Sequence, residues 1–355
     1  MRKWRGEKYT LELTGSSHGD YVGAVFTGIG KGKKIDFDEI DRLIELRKPN
    51  LSAYSTRRRE SDEYEFLSGA DANGLTTGED IVVRIGNTDV KKSDYDKTYG
   101  LMRPSHADYA AFVKYGESAL VSGGGMFSGR MTAPLCVIGG IAQGILKNDD
   151  IKTIAYLSGV GDIKFGSYDD EDFVLPRGTT PFATATPEKI GQSDELFTRL
   201  SESGDSAGGV IECVALGVPA GTGDAQFGCL ESKISSLLFA IPAVKAVEFG
   251  YGVKFATACG SEVRDEPYYD GGTVKTKTNF NGGINGGISN GMPICVRVTI
   301  KPTPSIGKPC DTINVLKKTN EKLALSGRHD VCIAPRAVPA VVSAVSIALL
   351  DSSEK

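Results

Sequence analysis

Apolar and polar residues alternate over 8–14, with Tyr9, Leu11 and Leu13 on one face, and this period of two predicts a strand. A second strand is predicted over 22–28, closed by Gly28, Gly30 and Gly32. The period then changes. Ile40, Leu43, Ile44 and Leu46 recur at helical spacing behind Asp36 or Asp38 as cap, and Pro49 prevents the helix from continuing. Similar reasoning predicts helices over 107–115, 132–146, from 186–188 to about 203, 227–240, near 312–325 and 335–350. Strands are predicted at 80–85, 209–216, 247–258 and 293–300. The helix over 132–146 is apolar all round and therefore expected to be buried. Residues 50–60 form a polar loop and 278–291 a glycine-rich one. No linker interrupts the series, so residues 1–355 are expected to form a single unit.

The two halves echo each other. Ser17-x-Gly19-x-x-Val22, followed by Gly28 and Gly32, recurs as Ser206-x-Gly208-x-x-Ile211, followed by Gly217 and Gly221. Gly74-x-x-x-Gly78-x-x-Ile81-x-Val83-Arg84-Ile85 recurs as Gly287-x-x-x-Gly291-x-x-Ile294-x-Val296-Arg297-Val298. Two glycine turns, each joined to a strand and kept in the same order, predict an internally duplicated, pseudo-two-fold α+β body. Its repeats would run over roughly 8–90 and 204–300.

Composition adds ligand chemistry. The chain holds 44 glycines in 355 residues, against a usual ~7%, and their clusters suggest backbone brought close to a ligand. A net charge of −4 argues against a nucleic-acid binder. Arg47, Lys48 and Arg57–Arg59, with Arg103, Arg130, Arg328 and Arg336 in unusual motifs, point instead to a small anionic ligand. Seven widely spaced cysteines without a Cys-x-x-Cys pair fit free thiols in a reducing cytoplasm. The N-terminus lacks the apolar core of a signal peptide, and no stretch reads as a membrane span, so a soluble cytoplasmic protein is expected.

Only three histidines occur, and each lies in a polar motif beside glycine or arginine: His18 in Gly-Ser-Ser-His-Gly, His106 in Arg-Pro-Ser-His-Ala-Asp-Tyr and His329 in Gly-Arg-His-Asp. A histidine can give or take a proton near neutrality, so His18 and His106 are candidate general acids. The three are too widely spaced for a local metal motif, and no metal is expected. Gly123–Gly125, followed by Ser128, Arg130 and a helix start near Thr132, could cradle phosphate, although the Walker lysine is missing. Asn279, Asn281, the 282–291 glycines and Lys301-Pro302-Thr303-Pro304-Ser305 form a second candidate phosphate or cofactor loop. Asp330, beside Arg328 and His329, is either a salt-bridged structural group or an ionised base.

Together these motifs resemble the chorismate synthase family. The resemblance rests on Gly-x-Ser-His-Gly (15–19), Thr-x-Arg-x-Glu-x-Asp (56–62), Arg-Pro-x-His-Ala-Asp-Tyr (103–109) and Ser-x-Arg-x-Thr-Ala (128–133). It continues through Gly-Asp-Ser-x-Gly-Gly (204–209), Gly-Gly-Ile-Ser-Asn-Gly (286–291), Lys-Pro-Thr-Pro-Ser-Ile (301–306) and Gly-Arg-His-Asp (327–330), in the family's order over nearly the whole chain.

The resemblance implies a β-α-β sandwich and a lyase that makes chorismate from 5-enolpyruvylshikimate 3-phosphate by 1,4-anti-elimination of phosphate. It implies reduced FMN as cofactor and a homotetramer. No segment is left over for a flavin-reductase domain, so an external reductant is expected to supply the reduced flavin. His18 would protonate the departing phosphate, His106 would sit near flavin N1 and Asp330 would assist proton removal at N5. Arg47, Arg58, Arg130 and Arg328 would clamp the substrate's anionic groups; Ser128, Asn279, Lys301 and Ser305 would hold FMN. The chain departs from the family at Leu46 and Met126, where arginines are usual, and at Ser16, Ser105, Phe127 and Arg264. A non-catalytic FMN or electron-transfer protein on the same scaffold is the competing expectation. A phospho-sugar or nucleotide enzyme without flavin is a further one.

Overall fold

Two five-stranded antiparallel sheets enclose the helices of this chain, for which a computed structural model describes residues 2–48, 61–88, 99–120, 123–170, 190–325 and 330–353. The first sheet is built from β1 (Lys3–Arg5), β2 (Thr10–Gly15), β3 (Tyr21–Thr27), β4 (Tyr64–Ser68) and β5 (Ile81–Gly86), in the order β1-β2-β3-β5-β4. Then come β6 (Lys152–Val160), β7 (Ile163–Lys164), β8 (Gly209–Leu216) and β9 (Val244–Phe249). The hairpins β10 (Pro267–Asp270)–β11 (Thr273–Thr276) and β12 (Ile284–Asn285)–β13 (Ile288–Ser289) precede β14 (Ile294–Ile300). The second sheet runs β7-β6-β8-β14-β9. A last hairpin pairs β15 (Cys310–Asn314) with β16 (Thr319–Leu323).

The helices are α1 (Phe37–Arg47), α2 (Asp108–Tyr115), α3 (Thr132–Leu146), α4 (Ile190–Ser203), α5 (Leu230–Leu238) and α6 (Ala334–Ser353). α3 packs on β3 and β5, α6 packs on β6 and β8, and the two helices pack on each other. This is an α+β sandwich in which helices form the middle layer. Close approach needs small residues. A Cβ on Gly139 would meet Ser343 of α6 at 2.2 Å, and one on Gly140 would meet the Cα of Ile40 at 2.7 Å. α6 is the one helix among the described residues long and apolar enough to cross a membrane. It is instead a core helix: nearly all of it is buried, and Ser343, Ser346 and Asp351 on it are fully buried and hydrogen-bonded.

The segments that match in sequence hold matching places. Val22 of β3 pairs with Ile85 of β5, and their counterparts Ile211 of β8 and Val298 of β14 pair with each other. On the other side of β5, Glu65 opposes Arg84; on the other side of β14, Glu248 opposes Arg297. Gly28 and Gly217 both have positive φ, of 101° and 78°. A Cβ on the first would strike the carbonyl of Lys8 and on the second that of Asp150, each just before the neighbouring strand. Both sheets therefore repeat one connectivity, strand–strand–helix–edge strand–inserted strand, followed by a long core helix.

The helix expected near 312–325 is absent; this segment is the β15–β16 hairpin. Thr312, Ile313 and Val315 are β-branched and favour extended backbone. Asn314 Oδ1 accepts from the N–H groups of Leu316 and Lys317 and starts the turn. The strand expected over 247–258 ends at Phe249. Gly250 then turns with φ 53°, and a 3₁₀ segment follows over Gly252–Thr257. The helix expected over 227–240 begins only at Leu230, where Cys229 Sγ accepts from Ser232 N. β4 and β6 carried no expectation. β6 carries apolar residues on both faces and a bulge near Gly159, so it lacks a clean alternation.

Candidate active site

The loop after β2 carries Ser17 and His18. Ser17 is fully buried, its Oγ lies 2.9 Å from His18 Nδ1, and its N–H donates to Gly125 O at 3.3 Å. The His18 ring lies against Gly123, whose φ is 68°. Asn87, just past β5, braces this loop: its Nδ2 donates to Ser16 O and Gly19 O at 3.0 and 2.7 Å. Its Oδ1 accepts from Arg130 Nε at 3.0 Å.

His106 lies on the turn before α2. Its Nδ1 is 2.6 Å from Asp108 Oδ1, and Asp108 also accepts from Arg103 Nε and Nη2, each at 2.7 Å, and from the Arg103 N–H. Burial alone would raise the Asp108 carboxyl, but the hydrogen bonds and charges of Arg103 and His106 outweigh it and hold the group well below the ordinary carboxylate range. Arg103 Nη2 donates onward to Gly123 O at 2.8 Å. The two histidine loops are thus joined through Arg103 and Gly123. Ser105 takes a left-handed φ of 58°, and its carbonyl accepts from Lys301 Nζ. That contact brings the segment after β14 to the histidine loop.

A buried ionic cluster lies beside these loops. Asp62 receives Arg47 Nη1 at 2.5 Å on one oxygen and Arg130 Nη1 on the other, and all three side chains are almost wholly buried. Arg47 also donates to Thr132 Oγ1 and Gly129 O, and Arg130 to Gly86 O. The expected substrate clamps Arg47 and Arg130 are therefore engaged with Asp62 and with backbone. Two guanidiniums thus share one buried carboxylate under the glycine turn. Asp330 accepts from Arg336 Nη1 at 2.9 Å, and Arg336 Nε reaches the carbonyl of Arg47, so Asp330 is tied to the same cluster.

The expected cofactor residues separate. Ser128 caps the 3₁₀ turn Gly129–Met131 by accepting from Arg130 N, and a Cβ on Gly124 would stand 3.0 Å from its Cβ. Ser305 is buried in the segment that Lys301 anchors. Asn279 is not with them. Its amide is used by Pro293 O and Gly283 N near the start of β14. Lys301 follows the other end of that strand, about 20 Å away at the rise of a β-strand. Arg58 and Arg328 lie outside the described residues. Asp62, Asn87, Arg103, Asp108 and Arg336 were given no individual site role, although Arg103 and Arg336 stood among the basic residues of unusual motifs, Asp108 in the His106 motif and Asp62 at the end of the 56–62 motif; nothing pointed to Asn87. No cluster of three metal-ligating side chains occurs among the described residues.

Two sheets around a helical layer, with two histidine loops joined beside a buried Arg–Asp–Arg cluster, define a β-α-β sandwich whose site is suited to acid–base work. The chorismate synthase family profile matches residues 9–353. The chain is 39% identical over 350 residues to the chorismate synthase of Dehalococcoides mccartyi strain BAV1, covering 98% of this chain and 95% of that one. It is 38% identical over 346 residues to that of Methanobrevibacter smithii, covering 98% and 94%. A crystal structure of a chorismate synthase superposes with a TM-score of 0.75 at 25% identity, over 98% of this chain and 92% of that one. The chain belongs to the chorismate synthase family.

Proposed function

We propose that this protein converts 5-enolpyruvylshikimate 3-phosphate to chorismate by 1,4-anti-elimination of phosphate, with reduced FMN bound and no net redox change. The observation that carries this reading is the joining of His18 and His106 through Arg103 and Gly123, beside a buried cluster in which Arg47 and Arg130 share Asp62.

The cofactor fits the residues present. Thr303 Oγ1 is buried and, among the described residues, without a hydrogen-bond partner. It lies in the segment between Lys301 and Ser305, whose Lys301 Nζ reaches the His106 loop. A buried hydroxyl without a partner costs free energy that a polar ligand group would recover. Thr303, Lys301 and Ser305, with Ser128 across the glycine turn, would hold the flavin and its phosphate. Reduced FMN, when bound, supplies electron density to the breaking C–O bond and takes up the hydrogen that the substrate loses.

The chain's own groups do the rest. His18 donates a proton to the departing phosphate, and Ser17 Oγ at its Nδ1 orients the ring. His106 would govern protonation of the bound flavin, and Asp330 would assist proton removal. Arg58 and Arg328 clamp the substrate's anionic groups. Arg47 and Arg130 contribute from below: with Asp62 they fix the Gly129 turn that carries Ser128. Neither Asn279 nor its loop reaches this site within one chain, so its contribution to FMN binding depends on the proposed homotetramer. Reductant comes from outside the protein. Parallel assay of chorismate and phosphate with reduced FMN tests the reading; failure to release both would reject it.

A further inference from the structure

The donor inventory around His106 fixes which nitrogen carries its proton. Nδ1 lies 2.6 Å from Asp108 Oδ1 and 3.1 Å from Arg103 Nη2, and it can serve only one of them as a hydrogen-bond partner. Arg103 Nη2 has two hydrogens. One goes to Asp108 Oδ1 at 2.7 Å and the other to Gly123 O at 2.8 Å, so neither is left for the imidazole. Nδ1 must therefore be the donor, and Asp108 Oδ1 its acceptor. Asp108 in turn is held from three directions by Arg103, through Nε, Nη2 and the backbone N–H, and it stands at the first position of α2. A carboxylate so restrained cannot rotate away to release the ring.

We propose that Asp108, held by Arg103, is a positioning residue that locks His106 in the Nδ1–H tautomer and leaves Nε2 as the atom that meets the ligand. This rests on the reading of His106 given above and adds a direction to it: the proton His106 holds or moves does so at Nε2. The low protonation range of Asp108 agrees, because the carboxyl stays an ionised acceptor at neutral pH. The same arginine ties the lock to the Gly123 carbonyl, so the His106 tautomer and the His18 ring position share one support.

With three histidines in the chain, ¹⁵N NMR of the whole protein resolves each ring, and His106→Gln assigns the signal. In its neutral form, His106 in the native protein is expected to show a protonated Nδ1 and an unprotonated Nε2. In Asp108→Asn the amide can donate to Nδ1 as well as accept from it, so the tautomers should mix or invert. The expected kinetic result is a fall in kcat of about 10- to 100-fold, less than removal of the imidazole would cause, with KM for 5-enolpyruvylshikimate 3-phosphate changed by less than about threefold. Asp108→Glu should restore the Nδ1–H signal and part of kcat. An Nε2–H tautomer in the native protein overturns the proposal without any variant, and so does an unchanged tautomer in a folded Asp108→Asn protein. The expected tautomer together with no turnover by the native protein would leave the lock standing and remove the proposed reaction instead.

Discussion

The imidazole of His18 lies so close to Gly123 that a Cβ built on that glycine would stand 1.9 Å from Cε1. The backbone there is also left-handed, with φ at 68°. Gly123→Ala is therefore expected to push the His18 ring out of place while leaving the sandwich intact. A loss of turnover of about 100-fold is expected, the scale of a displaced general acid, with the thermal midpoint nearly unchanged. Full activity in the alanine variant would contradict the placement of His18.

Asp62 is the only carboxylate shared by the buried guanidiniums of Arg47 and Arg130 among the described residues. Its removal takes the shared carboxylate from two buried guanidiniums, and breaking a buried ion pair costs about 3–5 kcal/mol. Asp62→Ala should lower the denaturant midpoint by that amount without changing the slope of the transition. A loss below about 1 kcal/mol would show that the cluster is not buried as described.

Asp351, at the C-terminal end of α6, accepts the backbone N–H groups of Glu7, Lys8 and Tyr9 at 3.0, 2.9 and 3.0 Å and lies 3.4 Å from Lys233 Nζ. Burial would raise its carboxyl, but those N–H groups and Lys233 together lower it. A folded-state value below the unfolded ~3.9 means the stabilisation is present above about pH 4 and is lost as pH falls through the folded value. Asp351→Ala should cost about 3 kcal/mol at pH 7, since three N–H groups lose their acceptor. Asp351→Asn should flatten the acid limb of stability measured between pH 5 and pH 3. An acid limb identical to the native one would assign it to other carboxylates.

Gly140→Ala sets two effects against each other. Alanine in a helix interior gains about 1 kcal/mol over glycine, but its Cβ would lie 2.7 Å from the Cα of Ile40, and backbone cannot yield as a side chain can. Overpacking of this kind costs about 1–3 kcal/mol, so a net destabilisation is expected in chemical denaturation. A stabilised variant would mean that α1 and α3 can separate cheaply.

Much of this was legible in the chain, and what was not has physical causes. The strands of the two sheets that alternate or follow a glycine turn were readable, as were the long core helices, because burial on one face imposes a period. The matched glycine motifs foretold the shared β3–β5 and β8–β14 registers, since the positions that bend the chain are also those that set strand pairing. β6 was missed because a strand covered on both faces has no alternation. The β15–β16 hairpin was misread because Asn314 makes its turn through its side chain, without the usual glycine. In the site, His18, His106 and Lys301 stood out by residue type and setting. Asp62 and Asn87 did not: an acid or amide becomes informative only when folding shows which distant arginines and carbonyls it collects. Asn279 drew notice through its glycine-rich surroundings, and its amide shapes that loop.

The measurement that bears most directly on the whole account is anaerobic incubation of the purified protein with 5-enolpyruvylshikimate 3-phosphate, following chorismate and phosphate together. Chemically reduced FMN, oxidised FMN, and oxidised FMN with NADPH are compared. Equal release of both products with reduced FMN, and neither product in the other two reactions, is the predicted result. Absence of both products with reduced FMN bound would contradict the proposed elimination, and turnover with NADPH and oxidised FMN would contradict the external source of reductant.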